Sequence, residues 1–389
     1  TAETDWDRRR RGVGGGVLRP RNRIPRPAAI LKNHVLYRWI APRRKTPLLP
    51  RALCLYVTYR CNMRCRTCGI WKGNLDARKT EMSMEEIRGL LSDRLFDKIE
   101  FVNLNGGEPA LRTDLAEIAA SVLDRFPRLH TLTLNTNGFL PGRIQTAAGR
   151  IAELCAARGV KFSIAGPLHR PHEGFDRIAG AANAFARVQE TLGRLQALRA
   201  HRPFYLSVNC VVSNLNLDAL EAMAAWGARE GIPVNFTLGE MRARFDNLDA
   251  AEDIFPRGEH RLRTVRFFRG LAERKKRYLQ HALRYAEVAD MLERGKKRAL
   301  ACHYAIGGVI VGSDGEIYYC KNAPSVGNAR ARSAADIYFD PRNLSFRGGT
   351  LFRERCPVCP PNTMIKMEAE KDLGRLVRFW LRPRPKRGG

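Results

Sequence analysis

The sequence predicts an α/β fold built on parallel strands, and three observations carry that prediction. Six short apolar runs alternate with longer segments of helical period between about residue 53 and residue 240. The connections between runs are long enough for helical crossovers, which parallel pairing requires. Helix boundary signals fall in the gaps: Ser83 with Glu86 makes a capping box, and Gly159 and Gly231 stand where helices end. The alternation alone does not choose between an open sheet and a barrel.

In chain order, residues 1–29 read as disordered, with Arg8 to Arg11, a glycine cluster, and Pro20, Pro25 and Pro27. Residues 30–40 read as a short amphipathic helix, ended by the linker prolines Pro42, Pro47 and Pro50. Strands are expected at Leu53–Val57, Lys98–Leu104, Thr131–Asn135, Val160–Ile164, Phe204–Val212 and Val234–Leu238. Helices are expected near 83–94, 112–125, 143–158, 175–200 and 216–230. Residues 257–298 form a basic helical insert ending near Gly295, expected as a solvated bridge. Ser313-Asp314-Gly315 is a turn between hairpin strands Gly308–Val311 and Glu316–Tyr319. The segments are therefore 1–50, a basic arm; 51–245, the α/β unit; 246–299, the insert; 300–362, a cysteine-bearing unit; and 363–389, a basic tail containing an amphipathic helix.

A chain of 389 residues can bury a large core, and 44% apolar content is ordinary for a globular protein. No apolar run approaches the roughly 20 residues that span a bilayer, and the N-terminal stretch has no signal-peptide core. Ten cysteines without an export signal point to a reducing compartment and to clusters rather than disulfides. The expected location is cytoplasmic. The net charge of +29 is concentrated: excesses of 11 in residues 1–53, 9 in 257–298 and 5 in 361–389 account for 25 of it. The α/β unit is close to neutral, so the basic material speaks of partners rather than chemistry.

The chemistry is organised around Cys61-Asn-Met-Arg-Cys65-Arg-Thr-Cys68, directly after the first strand. Three thiolates on one tight loop do not close a four-ligand zinc shell. On an iron–sulfur cube they leave one iron to bind a small molecule through an amine and a carboxylate. A structural zinc or a disulfide set is the alternative. About forty residues on, Asn105-Gly-Gly-Glu-Pro109 follows the second strand. In this order the two motifs resemble the signature of the radical S-adenosylmethionine (SAM) superfamily: Cys-x3-Cys-x2-Cys, then the turn whose residues Gly106, Gly107, Glu108 and Pro109 match the part that holds the SAM amino group.

That resemblance implies a partial (β/α)6 barrel with its site at the C-terminal strand ends. It implies a SAM-binding [4Fe-4S] cluster on Cys61, Cys65 and Cys68, reductive cleavage of SAM to a 5′-deoxyadenosyl radical, hydrogen abstraction from a substrate, and an electron donor such as a flavodoxin or ferredoxin. Asn137, Ser163 and Asn209 lie at strand ends and are candidate SAM contacts; Gly138 and Glu240 are further strand-end positions. Asn137-Gly138 is equally well a turn. Two departures from the family pattern stand out. Thr67 replaces the usual aromatic before the third cysteine, with Trp71 as a substitute, and Ala165 replaces an expected aspartate. No catalytic acid or base emerges.

Cys302, Cys320, Cys356 and Cys359 form a second set, spaced Cys-x12-Gly-x4-Cys and then Cys-x2-Cys. It resembles the SPASM/Twitch extensions of radical SAM enzymes, and four cysteines suit the short Twitch form with one auxiliary [4Fe-4S] cluster. Zinc on the same four thiolates is the alternative. Cys54, Cys155 and Cys210 are expected as buried, inert thiols.

The implied reaction is an oxidation, crosslink or rearrangement of a small or lipid-linked molecule. Peptide maturation is the alternative, although residues 1–53 are too short and too rich in Pro and Arg for a peptide-recognition domain. RNA modification or a non-enzymatic iron–sulfur or zinc scaffold ranks below these. Two amphipathic helices, 30–40 and 373–381, carry Trp and leucines opposite basic residues, the pattern of a helix lying on an anionic membrane. Docking of both helices on the barrel would bury the same faces.

Overall fold

The computed structural model describes residues 27–40, 46–73, 80–172, 174–276, 278–362 and 371–380. Of residues 1–29, expected to be disordered, 1–26 lie outside these, as does the basic tail beyond residue 380, whereas Pro27, Ala28 and Ala29 begin a helix. Eight strands form one sheet in the order β6-β5-β4-β3-β2-β1-β7-β8. They are β1 (Ala52–Thr58), β2 (Phe101–Gly106), β3 (Thr131–Asn135), β4 (Lys161–Pro167), β5 (Tyr205–Val212), β6 (Val234–Leu238), β7 (Gly308–Val311) and β8 (Ile317–Tyr318). β1 to β6 pair in parallel, each with its sequence neighbour. This is the partial (β/α)6 barrel that the sequence implies. The hairpin is present but not separate: β7 pairs in parallel with β1, and β8 returns antiparallel to β7. The sequence suggests no reason for that pairing, because β7 is distant in the chain and as apolar as the barrel strands.

Alternate residues explain how the sheet is covered. Leu53, Leu55, Val57, Val102, Leu104, Leu132, Leu134, Phe162 and Ile164 point to one face and join the main apolar core. Each contributes about 1.5–3 kcal/mol by leaving water. On that face lie the crossover helices: α2 (Met84–Leu91), α3 (Leu115–Arg125), α4 (Pro141–Ala157), α5 (Gly174–Ala179), α6 (Ala184–His201) and α7 (Leu220–Arg229), preceded in the chain by α1 (Pro27–Val35). The capping box of α2 is formed, with Ser83 Oγ accepting from the Glu86 N–H and Glu86 accepting from the Ser83 N–H.

Two expectations change. The helix expected over 175–200 breaks into α5 and α6. Gly180 has φ +59° and lies so near the cysteine loop that a Cβ would come 2.3 Å from the Arg64 carbonyl oxygen. The basic insert is not a solvated bridge. After the short α8 (Ala251–Ile254), it folds as a helical pair, α9 (Gly258–Arg274) and α10 (Leu279–Arg294). Val265, Phe267, Phe268, Leu271, Tyr285 and Val288 are buried in the main core, with the Phe267 ring 4.9 Å from that of Phe236 on β6. Arg284 is buried and donates to the carbonyls of Phe236 and Asn362. The high basic count hid an ordinary apolar stripe.

The C-terminal part adds α11 (His303–Gly307), α12 (Ala334–Tyr338), α13 (Pro341–Phe346) and α14 (Leu373–Trp380). α14 packs on α10 and buries Leu376 while Val377 stays exposed.

Candidate active site

The cysteine loop follows β1 and is held by main-chain bonds from two directions and by two side-chain contacts. Arg64 and Arg66 N–H groups donate to the Ala179 and Ile178 carbonyls at the break between α5 and α6. The Gly69 N–H donates to the Phe245 carbonyl beyond β6. The Asn247 amide donates to the Thr67 carbonyl, and Arg66 pairs with Asp253. A loop carrying three like thiolates is thereby fixed by backbone before any ligand is considered.

The neighbouring Cys68 and Cys61 thiols each raise the Cys65 pKa further. Burial is the larger cause: it pushes the Cys61 thiol up to about 11 and lifts Cys65 and Cys68 as well. Buried thiols without a cation stay protonated, and a metal cluster would displace those protons. The Asn137 amide lies 3.5 Å from Cys61 Sγ and donates to Asn62 Oδ1 at 2.7 Å. Trp71 braces the loop through its indole N–H to the Cys65 carbonyl, with the Arg64 guanidinium over its ring.

The Gly-Gly-Glu-Pro turn closes β2 against this loop. Gly107 and Glu108 N–H groups donate to the carbonyls of Thr58 and Arg60. A Cβ on Gly107 would come 2.2 Å from the Arg60 carbonyl oxygen, so only glycine fits. The Glu108 carboxylate is fully buried and accepts from Thr136 Oγ1 and from the N–H groups of Ala110 and Asn137. Burial nevertheless raises its pKa to about 7. The side chain thus fastens β2 to β3, and Pro109 is buried beside it.

The sheet face turned away from the helices is polar. Cys54, Asn103, Thr133 and Ser163 stand in register across β1 to β4, and Asn209 is in register with Asn235 on β6. Asn135 Nδ2 donates to Asn103 Oδ1 at 3.0 Å. Ser163 and Asn209 therefore share one face with Asn105, Asn135 and Asn103, the last of which the sequence reading passed over. The signal was available: Asn103 and Asn105 alternate with Val102 and Leu104 inside an apolar run. Gly138 has φ +77° and its carbonyl accepts from Thr191 Oγ1, which makes it a turn residue. Cys155 and Cys210 are buried in the main core, and Cys54 is buried on the polar face beside Asn105.

Glu240 is a structural junction. Burial acts to raise its pKa, but Lys321 and Arg242, both at 2.5 Å, hold it below the usual range, and Asn362 also donates to it. It ties β6 to the residue after Cys320.

Cys302, Cys320, Cys356 and Cys359 line one cavity of about 320 Å³, some ten times the ~30 Å³ share of a water molecule. Asn322 donates from its backbone N–H to Cys320 Sγ at 3.4 Å and from its amide to Cys359 Sγ at 3.2 Å. Arg298 Nη1 is 4.0 Å from Cys359 Sγ. Lys321, Arg355, Lys371, Arg375 and Arg38 also line the cavity, which suits a negatively charged thiolate cluster. Among the described residues, no group of three or more His, Cys, Asp or Glu converges tightly enough for a single metal ion.

Residues 55–227 match the family model of the radical SAM superfamily. The mycofactocin maturase MftC of Mycolicibacterium smegmatis is 26% identical over 213 residues, 54% of this chain and 49% of that protein. The GTP 3′,8-cyclase of Edwardsiella ictaluri is 31% identical over 186 residues, 47% of this chain and 53% of its own. The chain thus spans about half the length of these curated relatives. Among solved structures, anSMEcpe with bound AdoMet and Cp18Cys peptide has a TM-score of 0.52 at 15% identity, covering 84% of this chain and 98% of that one. Streptococcus suis SuiB bound to precursor peptide SuiA also gives 0.52, at 14% identity, covering 89% and 77%. At those identities the likeness is one of fold.

Proposed function

The chain belongs to the radical SAM superfamily, and we propose that it cleaves SAM reductively at a [4Fe-4S] cluster held by Cys61, Cys65 and Cys68, with a second cluster on Cys302, Cys320, Cys356 and Cys359. The observation that carries this reading is the clamped three-cysteine loop beside the Gly-Gly-Glu-Pro turn, at the C-terminal end of a polar-faced barrel. When bound, the first cluster supplies the electron that splits the SAM sulfonium, giving a 5′-deoxyadenosyl radical able to take hydrogen from an unactivated carbon.

The chain's own residues do the rest. Because the Glu108 side chain is committed to the β3 end, the turn Gly106–Pro109 meets the SAM amino group with its main chain. Asn137 is placed to orient Cys61. Ser163 and Asn209 offer hydroxyl and amide groups to the rest of SAM from the polar face. Asn322 and Arg298 donate toward the sulfurs of the auxiliary set, which favours its reduced form. A cluster held by these four cysteines would take the second substrate electron, which would make the net reaction an oxidation or a crosslink, with a flavodoxin or ferredoxin as the electron donor to the site on Cys61, Cys65 and Cys68. A small or lipid-linked molecule is the substrate class we favour. The similarity to MftC over 213 residues supports peptide maturation as the second reading.

Contact with an anionic membrane completes the proposal. α1 and the π-helical turn after it expose Leu31 (58%), Val35 (41%), Trp39 (51%) and Ile40 (48%), while Tyr37 is buried against Ala52 and Ile306. Arg38 from this segment and Arg375 from α14 line the same cavity, which brings the two terminal helices together. No helix among the described residues is long and apolar enough to cross a membrane, so contact would be peripheral. Each nearby basic residue adds about 1 kcal/mol on an anionic surface. The protein should pellet with anionic vesicles at low salt and much less at high salt; equal recovery in the supernatant throughout would remove this part.

The test of the main proposal is anaerobic: reconstituted protein with SAM and dithionite should form 5′-deoxyadenosine. None from fully loaded protein would refute it.

A further inference from the structure

We propose that Arg244 is the seat of an oxyanion, a carboxylate or a phosphate, carried into the barrel by a bound ligand. Arg244 sits in the single 3-10 turn Ala243–Phe245 that follows β6. The three nitrogens of its guanidinium are buried, and none has a hydrogen-bond partner. A guanidinium carries five N–H donors in a planar fork and stays charged in proteins. Leaving that fork dry and unpaired is costly, more so than for a neutral group.

Other buried arginines do not share this condition. Arg112 donates to the Val57 and Met82 carbonyls and pairs with Asp114. Arg284 donates to two carbonyls, and Arg242 pairs with Glu240. Among the described residues, Arg244 alone has its whole fork unsatisfied. What it has instead is rings: its central carbon lies 4.0 Å from the Tyr56 ring centroid and 4.6 Å from that of Tyr318. Cation–π contacts offset only part of that cost and supply no acceptor. The nearby acid, Asp314, accepts from the Glu316 N–H and makes no hydrogen bond to the guanidinium.

The location gives the vacant fork a purpose. Tyr56 lies on the polar face of β1, the Phe245 carbonyl next to Arg244 accepts from the N–H of Gly69 directly after Cys68, and Tyr318 lies two residues before Cys320. Arg244 thus stands between the two cysteine sets, where a reactant must lie to exchange with both. The polar face nearby is neutral: Asn103, Asn105, Asn135, Ser163 and Asn209. A ligand with one anionic end and otherwise uncharged polar groups matches that distribution. An Arg fork pairs bidentately with carboxylate or phosphate. Because the nitrogens are shielded from water, the guanidinium must swing off its stacked rings to take the anion, a change the anion's own pairing energy drives.

The inference rests on the barrel being the reaction chamber. The anion has two sources, the carboxylate of SAM or an acidic group of the substrate, and the experiment separates them. Anaerobically reconstituted wild type, Arg244→Gln and Arg244→Lys are titrated calorimetrically at constant ionic strength. In one arm, SAM-loaded protein receives malonate or pyrophosphate. In the other, SAM-free protein receives SAM or decarboxylated SAM. A substrate-derived anion predicts that wild type binds malonate or pyrophosphate and that Arg244→Gln binds it at least tenfold more weakly, with SAM affinity unchanged. A SAM-derived anion predicts at least a tenfold loss of SAM affinity in Arg244→Gln with decarboxylated SAM unaffected. Iron content and circular dichroism report on folding. Should Arg244→Gln not fold, Arg244→Lys must show an intermediate loss in the same arm. Wild type indifferent to both anions, together with SAM binding insensitive to either substitution, overturns the proposal. Failure of wild type to form 5′-deoxyadenosine would instead strike at the reading of the barrel itself.

Discussion

The first cysteine set lies within eight consecutive residues, on a loop whose main chain is bonded to the α5–α6 break and to the turn beyond β6. The second draws Cys302 from before α11, Cys320 from the end of the hairpin and Cys356 and Cys359 from a separate turn. In the first, geometry is local, and the neutral Asn137 amide lies 3.5 Å from Cys61 Sγ. In the second, geometry depends on tertiary contacts, and the surroundings are cationic. A site that must bind and release a cosubstrate benefits from a stiff local frame. A site that only stores charge tolerates a frame assembled late, provided that charge is balanced.

The largest effects should come from the first set. Cys61→Ala, Cys65→Ala or Cys68→Ala should abolish 5′-deoxyadenosine formation and halve bound iron; residual formation above the dithionite background would break the asymmetry. Next, Cys320→Ala or Cys359→Ala should lose the other half of the iron while SAM cleavage persists, uncoupled from substrate. If these variants were as dead as the first group, the two sets would not be separable in function.

Glu240→Ala sharpens the comparison by cutting the junction between them. It leaves the half-buried Lys321 and Arg242 without their carboxylate, a loss of about 3 kcal/mol. Thermal unfolding should show it, with auxiliary iron lost before the first cluster's.

The smallest effect concerns the barrel alone. Burial lowers the His169 pKa to about 4, and its Nδ1 accepts from the Val211 N–H. The unfolded chain takes a proton near pH 6.5 that the folded barrel refuses. Stability is therefore full above that pH and falls by about 3 kcal/mol as the pH approaches 4. Urea unfolding of wild type and His169→Gln across that range checks it: the variant should lack this part of the acid loss.

Much of this was legible in the chain. β3 and β6 fall where apolar runs fall, because period-two alternation and flanking turns are local signals. Both cysteine sets were visible for the same reason, as residue type and spacing. What was hidden depends on distant partners. The α5–α6 break follows from Gly180 meeting Arg64, and the burial of α9 follows from Phe267 meeting Phe236. The fastening of β2 to β3 by Glu108 was hidden too, because it depends on Thr136 and the Asn137 N–H reaching its carboxylate. Arg244, Arg298 and Asn322 carry no local signal; they matter through the groups that surround them, or fail to.

The central claim is that both cysteine sets hold iron–sulfur clusters. Iron, acid-labile sulfide and zinc should be measured together on anaerobically reconstituted wild-type protein. The account predicts about eight irons and eight sulfides per chain, without stoichiometric zinc. Four irons accompanied by one zinc per chain would contradict it.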